Sequence, residues 1–178
     1  MAKANARRAG TDLPALMLRL TVGPMMVIHG LNKVRGPGGL AGTASYFESL
    51  GLQPAAVHAR VAAATEISTG AMLTLGAGTP WASAGVIGVM TSAAATDHKG
   101  KGFFIFKGGW EYVGVVGAVA AVIAALGPGR FSVDRVRGKD KGGLLRAVLA
   151  SAVGIGSALG VLTVGRRPTD SPIGSDGA

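Results

Sequence analysis

Two charged side chains lie where charge is expensive. Arg19 falls inside the apolar run at residues 13–30 and Glu66 inside the run at residues 55–75. Each is roughly six to eleven residues from an end of its run, and an unpaired ion at such depth in a bilayer costs several kcal/mol. Both should face a bundle interior and find a partner. At ~1.5 Å of rise per residue, Arg19 is about 9 Å and Glu66 about 13 Å from the same membrane face. A guanidinium spans that difference, so the spacing predicts an Arg19–Glu66 ion pair, direct or through water, joining the first two spans. The pair either fixes helix register alone or makes Glu66 a group that handles protons or hydrogen-bonds a quinone.

A second set of candidates collects at one membrane face if the spans alternate. His29, Asn32, Lys33, His58, Arg60, Asp97, His98 and Glu111 all fall there, including the chain's three histidines. Polar residues gather at any water boundary, which makes Asp97 and His98 lesser candidates than His29, Lys33 and Glu111. Haem held between His29 and His98 would sit near the boundary instead of inside the bundle. A metal site from His29, Asp97, His98 and Glu111 has no diagnostic ligand spacing, so no metal is expected. The chain contains no Cys, which excludes a thiol nucleophile, a disulfide framework and an iron–sulfur cluster. Nucleotide-binding glycine fingerprints and hydrolytic triads are not evident, so no catalytic residue is assigned. Redox chemistry here needs a borrowed group, with bound quinone or lipid as the candidates.

The elements that must position these residues are apolar. Of 178 residues 15% are charged, and mean hydropathy is +0.42. A soluble domain carries about a quarter charged residues, so this composition defines an all-α membrane protein. Five runs, at 13–30, 55–75, 81–95, 110–126 and 144–164, approach the length that crosses ~30 Å of hydrocarbon. A charge-free turn at 76–80 makes the second and third an antiparallel hairpin. Between the first two runs, residues 43–50 carry Tyr46, Phe47 and Leu50 at helical spacing, which suits a segment lying in the headgroup zone. The connector at 96–109 mixes Lys99, Lys101 and Lys107 with Phe103, Phe104 and Phe106, another interfacial composition. Net charge is +9, but the basic residues flank the apolar runs and serve membrane lipid, not nucleic acid. The basic start at Lys3, Arg7 and Arg8 precedes a retained first helix. With Arg130, Arg135, Arg137, Lys139 and Lys141 it puts the N-terminus and the fourth connector in the cytoplasm of a plasma-membrane protein, and the C-terminus outside. Ala152, Gly156 and Gly160 form a small-residue stripe on the last run, a face for another membrane subunit or another copy of this chain.

An ordered set of short motifs runs along the chain: Arg19-x-x-x-Gly23, His29-Gly30-x-x-Lys33, Tyr46-Phe47, Gly51-Leu52-x-Pro54, Glu66-x-x-x-Gly70, Leu75-Gly76, Glu111, and Gly127-Pro128-Gly129-x-x-Ser132-x-Asp134. In this order they resemble the DoxX family over roughly residues 13–135. The resemblance implies a four-helix transmembrane bundle of DoxX type, to which this chain adds a fifth C-terminal transmembrane helix. It divides the chain into a basic tail at 1–12, the bundle at 13–135, a basic connector with the fifth helix at 136–166, and a disordered tail at 167–178. Some relatives are linked to quinone-dependent thiosulfate oxidation, and actinobacterial ones to a membrane assembly with superoxide dismutase and a thiosulfate sulfurtransferase. The resemblance therefore implies an accessory subunit of a quinone-linked or respiratory oxidoreductase complex, with a polar pocket in the outer half of the bundle; the alternative is a non-catalytic assembly subunit. Carried over by position, Arg19, Lys33, Glu66 and Glu111 are its polar site.

Overall fold

The computed structural model describes residues 2–165, with side chains from residue 10 onward. Lys3, Arg7, Arg8, Arg166, Arg167 and the expected tail at 167–178 therefore lie outside the described side chains. The chain is all-α: α1 (Ala2–Arg35), α2 (Gly39–Ser49), α3 (Ala55–Leu75), α4 (Thr79–Ala95), α5 (Glu111–Leu126), α6 (Val133–Val136) and α7 (Leu144–Gly165), with one 3-10 turn at Ile105–Lys107 and no strand among the described residues. Four of the five expected apolar runs are helices whose limits agree to within two residues. The first is the exception. Helix α1 begins eleven residues before Leu13, so the stretch expected as a tail at 1–12 is helical from Ala2, and it runs on past Gly30 to Arg35.

Helices α1, α3, α4 and α5 close a ring, each packed on the next, while α7 lies outside it against α4 and α5, and α2 packs on α3 and α1. Val22 and Met26 of α1, Leu73 of α3, Val86 and Met90 of α4 and Val113, Val116 and Ile123 of α5 fill the centre. Between α1 and α3 the approach is close because glycines face each other. A Cβ on Gly23 would run into the Gly70 carbonyl, and one on Gly30 into that of Ala63. Small residues at such contacts let two backbones meet and fix their register. This register sets Arg19 against Gly76, ten residues or about 15 Å along α3 from Glu66.

Two segments are long and apolar enough to cross a bilayer, Gly10–Arg35 and Leu144–Gly165, and α5 is a shorter apolar helix. Only 28% of the apolar stretch of α7 is buried, so α7 is not the core helix of a water-soluble domain. It exposes Leu145, Val148, Val153 and Leu159 and packs through Ala147, Ala150, Gly154 and Ala158 instead. The stripe of Ala152, Gly156 and Gly160 faces outward, and nothing lies within 4 Å of the position of a Cβ on either glycine.

Candidate functional site

Polar chemistry concentrates at the two ends of the ring. At the end where α3 turns into α4, Arg19 is 1% exposed, and its donors are met by main-chain carbonyls. Nε donates to Leu73 O at 2.9 Å, Nη1 to Pro128 O, and Nη2 to Thr74 O at 3.2 Å and Phe131 O at 2.9 Å. Two of these carbonyls belong to the last turn of α3, where the helix runs out of amides: Leu73 O also accepts from the Gly76 amide at 3.1 Å, while the guanidinium supplies the side-chain donor to Thr74 O. The planar guanidinium therefore ties the end of α3 to the loop after α5. This overturns the expected Arg19–Glu66 pair: the α1–α3 register holds the two residues too far apart, and carbonyls take the place of a carboxylate.

Asp134 completes this end. It is 3% exposed and accepts from the Gly78 amide (2.8 Å), the Thr79 amide (2.9 Å) and the Thr79 hydroxyl (2.9 Å). A carboxylate from α6 thus caps α4 from a distance, where the first amides of a helix need acceptors. Gly76 has φ +64° and lies against Arg19 and Ser132, so a side chain there would be strained and would also displace the guanidinium. The first acid after Gly-Pro-Gly in a basic connector was the sequence signal for this role.

The other end holds the cavity. Because α1 continues to Arg35, Lys33 lies on the helix one turn beyond His29 and reaches Glu66 across the α1–α3 contact. Its Nζ is 2.8 Å from Oε1 and 2.7 Å from Oε2, with side-chain exposures of 22% and 5%. Oε2 is buried and, despite that closeness, receives no directional hydrogen bond. Beside the pair, the Tyr112 hydroxyl donates to Met25 Sδ at 3.0 Å and lies 3.2 Å from His29 Nε2. Tyr112, on α5 next to Glu111, was not singled out in the sequence. A helical face shared with Val116 and Ala120 was the available signal.

Lys33 and Glu66 form part of the wall of a cavity of about 750 Å³ enclosed by α1, α2, α3, α4 and α7. Of the residues expected to converge, His29, Asn32, His58 and Asp97 also line it. Arg60 is exposed to the outside. His98 and Glu111 serve the connector between α4 and α5: His98 Nδ1 is 2.6 Å from Gly108 O, and Glu111 Oε2 accepts from the Ile105 amide at 3.1 Å. Among the described residues no three His, Asp or Glu side chains cluster as a metal site.

Tyr46 of α2 hydrogen-bonds to Asp97 and fastens α2 over the cavity. Burial, then the hydrogen bond and charge of Asp97, push the Tyr46 phenol up to about 12. Burial alone would raise the Asp97 carboxyl, but the bonds from Tyr46 and Lys101 and the charges of Lys101 and His98 outweigh it and hold it below its ordinary value. A depressed acid stabilises the fold above its ordinary pKa and loses that contribution as pH falls through the folded value; a raised phenol contributes below pH ~10 and loses it as pH rises through its folded value. The docking of α2 should therefore loosen in acid below pH ~4 and again in strong alkali. Tyrosinate absorbance checks the alkaline limb: Tyr46→Phe should remove an ionisation near 12. An ionisation of Tyr46 at the ordinary tyrosine value contradicts the contact.

Apolar side chains turned outward, a guanidinium sealed by carbonyls and an ion pair in the wall of a mostly apolar cavity together define a helical membrane protein. The family model for DoxX matches residues 15–99, and over this part the chain is similar to the DoxX family. The match includes Arg19, His29, Lys33, Glu66 and Asp97; Glu111 and the motif at 127–134 lie beyond it. No curated protein and no solved structure matches the chain.

Proposed function

We propose that the chain is a multi-pass plasma-membrane subunit that binds the ring of a quinone for an oxidoreductase complex. The observation that carries this reading is the Lys33–Glu66 pair in the wall of the large cavity. Its volume falls in the range of about 300–1,000 Å³ typical of small-molecule sites, and such sites combine apolar walls with a few convergent polar groups. A quinone ring fits this donor set: the ammonium of Lys33 can donate to a ring carbonyl, and a carboxylate oxygen of Glu66 that lacks a directional hydrogen bond can accept from a ring hydroxyl of the reduced form. Bound there, the quinone would supply the electron-carrying chemistry that no side chain of this chain provides. Tyr112 and His29 stand next to the pair and can relay a proton to the boundary.

The five spans are α1, α3, α4, α5 and α7, with α2 lying at the outer face, the N-terminus and α6 in the cytoplasm and the C-terminus outside. Links between DoxX proteins and oxidoreductases support this reading. The outward stripe of Ala152, Gly156 and Gly160 on α7 provides the face for a partner subunit, and it also favours the second reading, a purely structural assembly subunit. Glu66→Gln separates the two. The quinone reading expects quinone-linked activity of native membranes to fall about tenfold or more, as when a charge-assisted hydrogen bond is lost, with the chain still assembled. Unchanged activity, or failed assembly, supports the structural reading.

A further inference from the structure

The cavity has a side opening. Helices α3 and α7 both flank α4 yet scarcely touch each other along their lengths. They are tied near one end, where the amide of Gln53, just before α3, donates to Gly165 O at 2.7 Å and His58 of α3 lies against Gly165. Away from that tie, Val61 and Thr65 of α3 face Ser157 and Val161 of α7 across the cavity, and Gly85 and Gly88 of α4 form its back wall. Val61 and Val161 line the cavity while remaining 51% and 42% exposed, so they form the rim of a mouth. Val161 is four residues, or about 6 Å, from the end of the apolar helix α7. With α7 as a membrane span, as proposed above, the mouth opens on hydrocarbon and not on water. At the far side of the cavity, α2 covers the ion pair with Tyr46 and Phe47.

We infer that this mouth between α3 and α7 is a lateral portal, and that the ligand of the cavity is an amphiphile whose ring meets Lys33 and Glu66 while a long apolar tail leaves through the portal into the outer leaflet. The inference rests on the quinone reading above for the ring. It adds the tail, its direction and the route from the bilayer. Gly85 and Gly88 let α3 and α7 pack closely on α4 behind the cavity, and the apolar rim gives the tail contact it would not have in an opening to water.

The test uses the full chain in phosphatidylcholine nanodiscs, with a benzoquinone bearing a decyl tail and the same ring without a tail. Val161→Trp narrows the mouth without touching Lys33 or Glu66, and an unchanged helical circular dichroism spectrum verifies its fold. The expected result is that Val161→Trp weakens binding of the tailed ring about tenfold or more, the equivalent of losing the burial of about two methylene groups, and leaves the tail-less ring bound as in the wild type. Equal weakening of both probes, or of neither, overturns the portal and leaves the ring site standing. Failure of the wild type to bind either ring overturns the quinone reading and the portal with it. Phospholipid retained by the wild type and lost from Val161→Trp, without any quinone binding, also overturns the proposal by assigning the mouth to a structural lipid.

Discussion

Replacing Arg19 by Leu should lower the stability of the bundle by roughly 3 kcal/mol or more, since several buried carbonyls lose their donor at once and each costs about 1–3 kcal/mol unpaired. The carbonyls of Thr74, Pro128 and Phe131 lose this guanidinium, Leu73 O keeps only the Gly76 amide, and a leucine offers none of them a proton. Arg19→Lys should recover only part of the loss, because an ammonium has three donors on one atom and lacks the planar fork. The measurement is thermal unfolding in detergent, followed by size-exclusion of the folded fraction. Folded Arg19→Leu protein should still bind quinone as the wild type does, because Arg19 is not part of the cavity wall. An Arg19→Leu protein that melts with the wild type contradicts this role.

Lys33→Met should be nearly as damaging, for a different reason. It leaves the carboxylate of Glu66, 3% exposed, without its cation, and breaking a buried pair from one side costs about 3–5 kcal/mol. The partial exposure of Lys33 puts the effect near the lower end. Adding Glu66→Gln to Lys33→Met removes the orphaned charge, so the double variant should regain most of the stability while still failing to bind a quinone ring. A double-mutant cycle on both readouts measures this. Additive losses of stability in the double variant would mean that the two side chains do not depend on each other.

Much of the bundle was legible because its punctuation is strong. Pro54 and Gly76 bracket α3, and the Gly-Pro-Gly after Leu126 stops α5. Helix α1 was harder: Gly30 followed by Asn32 and Lys33 reads as the start of a connector, whereas the glycine is there so that α1 can lie against Ala63. Ending the helix at Gly30 puts Lys33 in the connector at the membrane face, and the comparison of depths then pairs Glu66 with Arg19. The true partners of Arg19 are backbone carbonyls from α3 and the loop after α5, and carbonyls carry no side-chain signature. Tyr112, and the capping role of Asp134, escaped for a related reason, since each acts on an element distant in the chain. The outward face of Ala152, Gly156 and Gly160 was visible as a stripe, but which stripe of α7 packs inward depends on α4, where Ala84 and Ile87 receive Gly154.

The functional reading stands or falls on whether a quinone ring occupies the cavity beside Lys33 and Glu66. Photolabelling the native membrane with an azidoquinone, followed by peptide mass spectrometry, probes that occupancy in place. Adducts are expected on cavity residues such as Tyr46, Phe47, Val89 and Ser92, suppressed by excess unlabelled quinone and by Glu66→Gln. Labelling confined to the Arg19 end or to the outer face of α7, or adducts that excess quinone does not suppress, would show that the ring does not bind there.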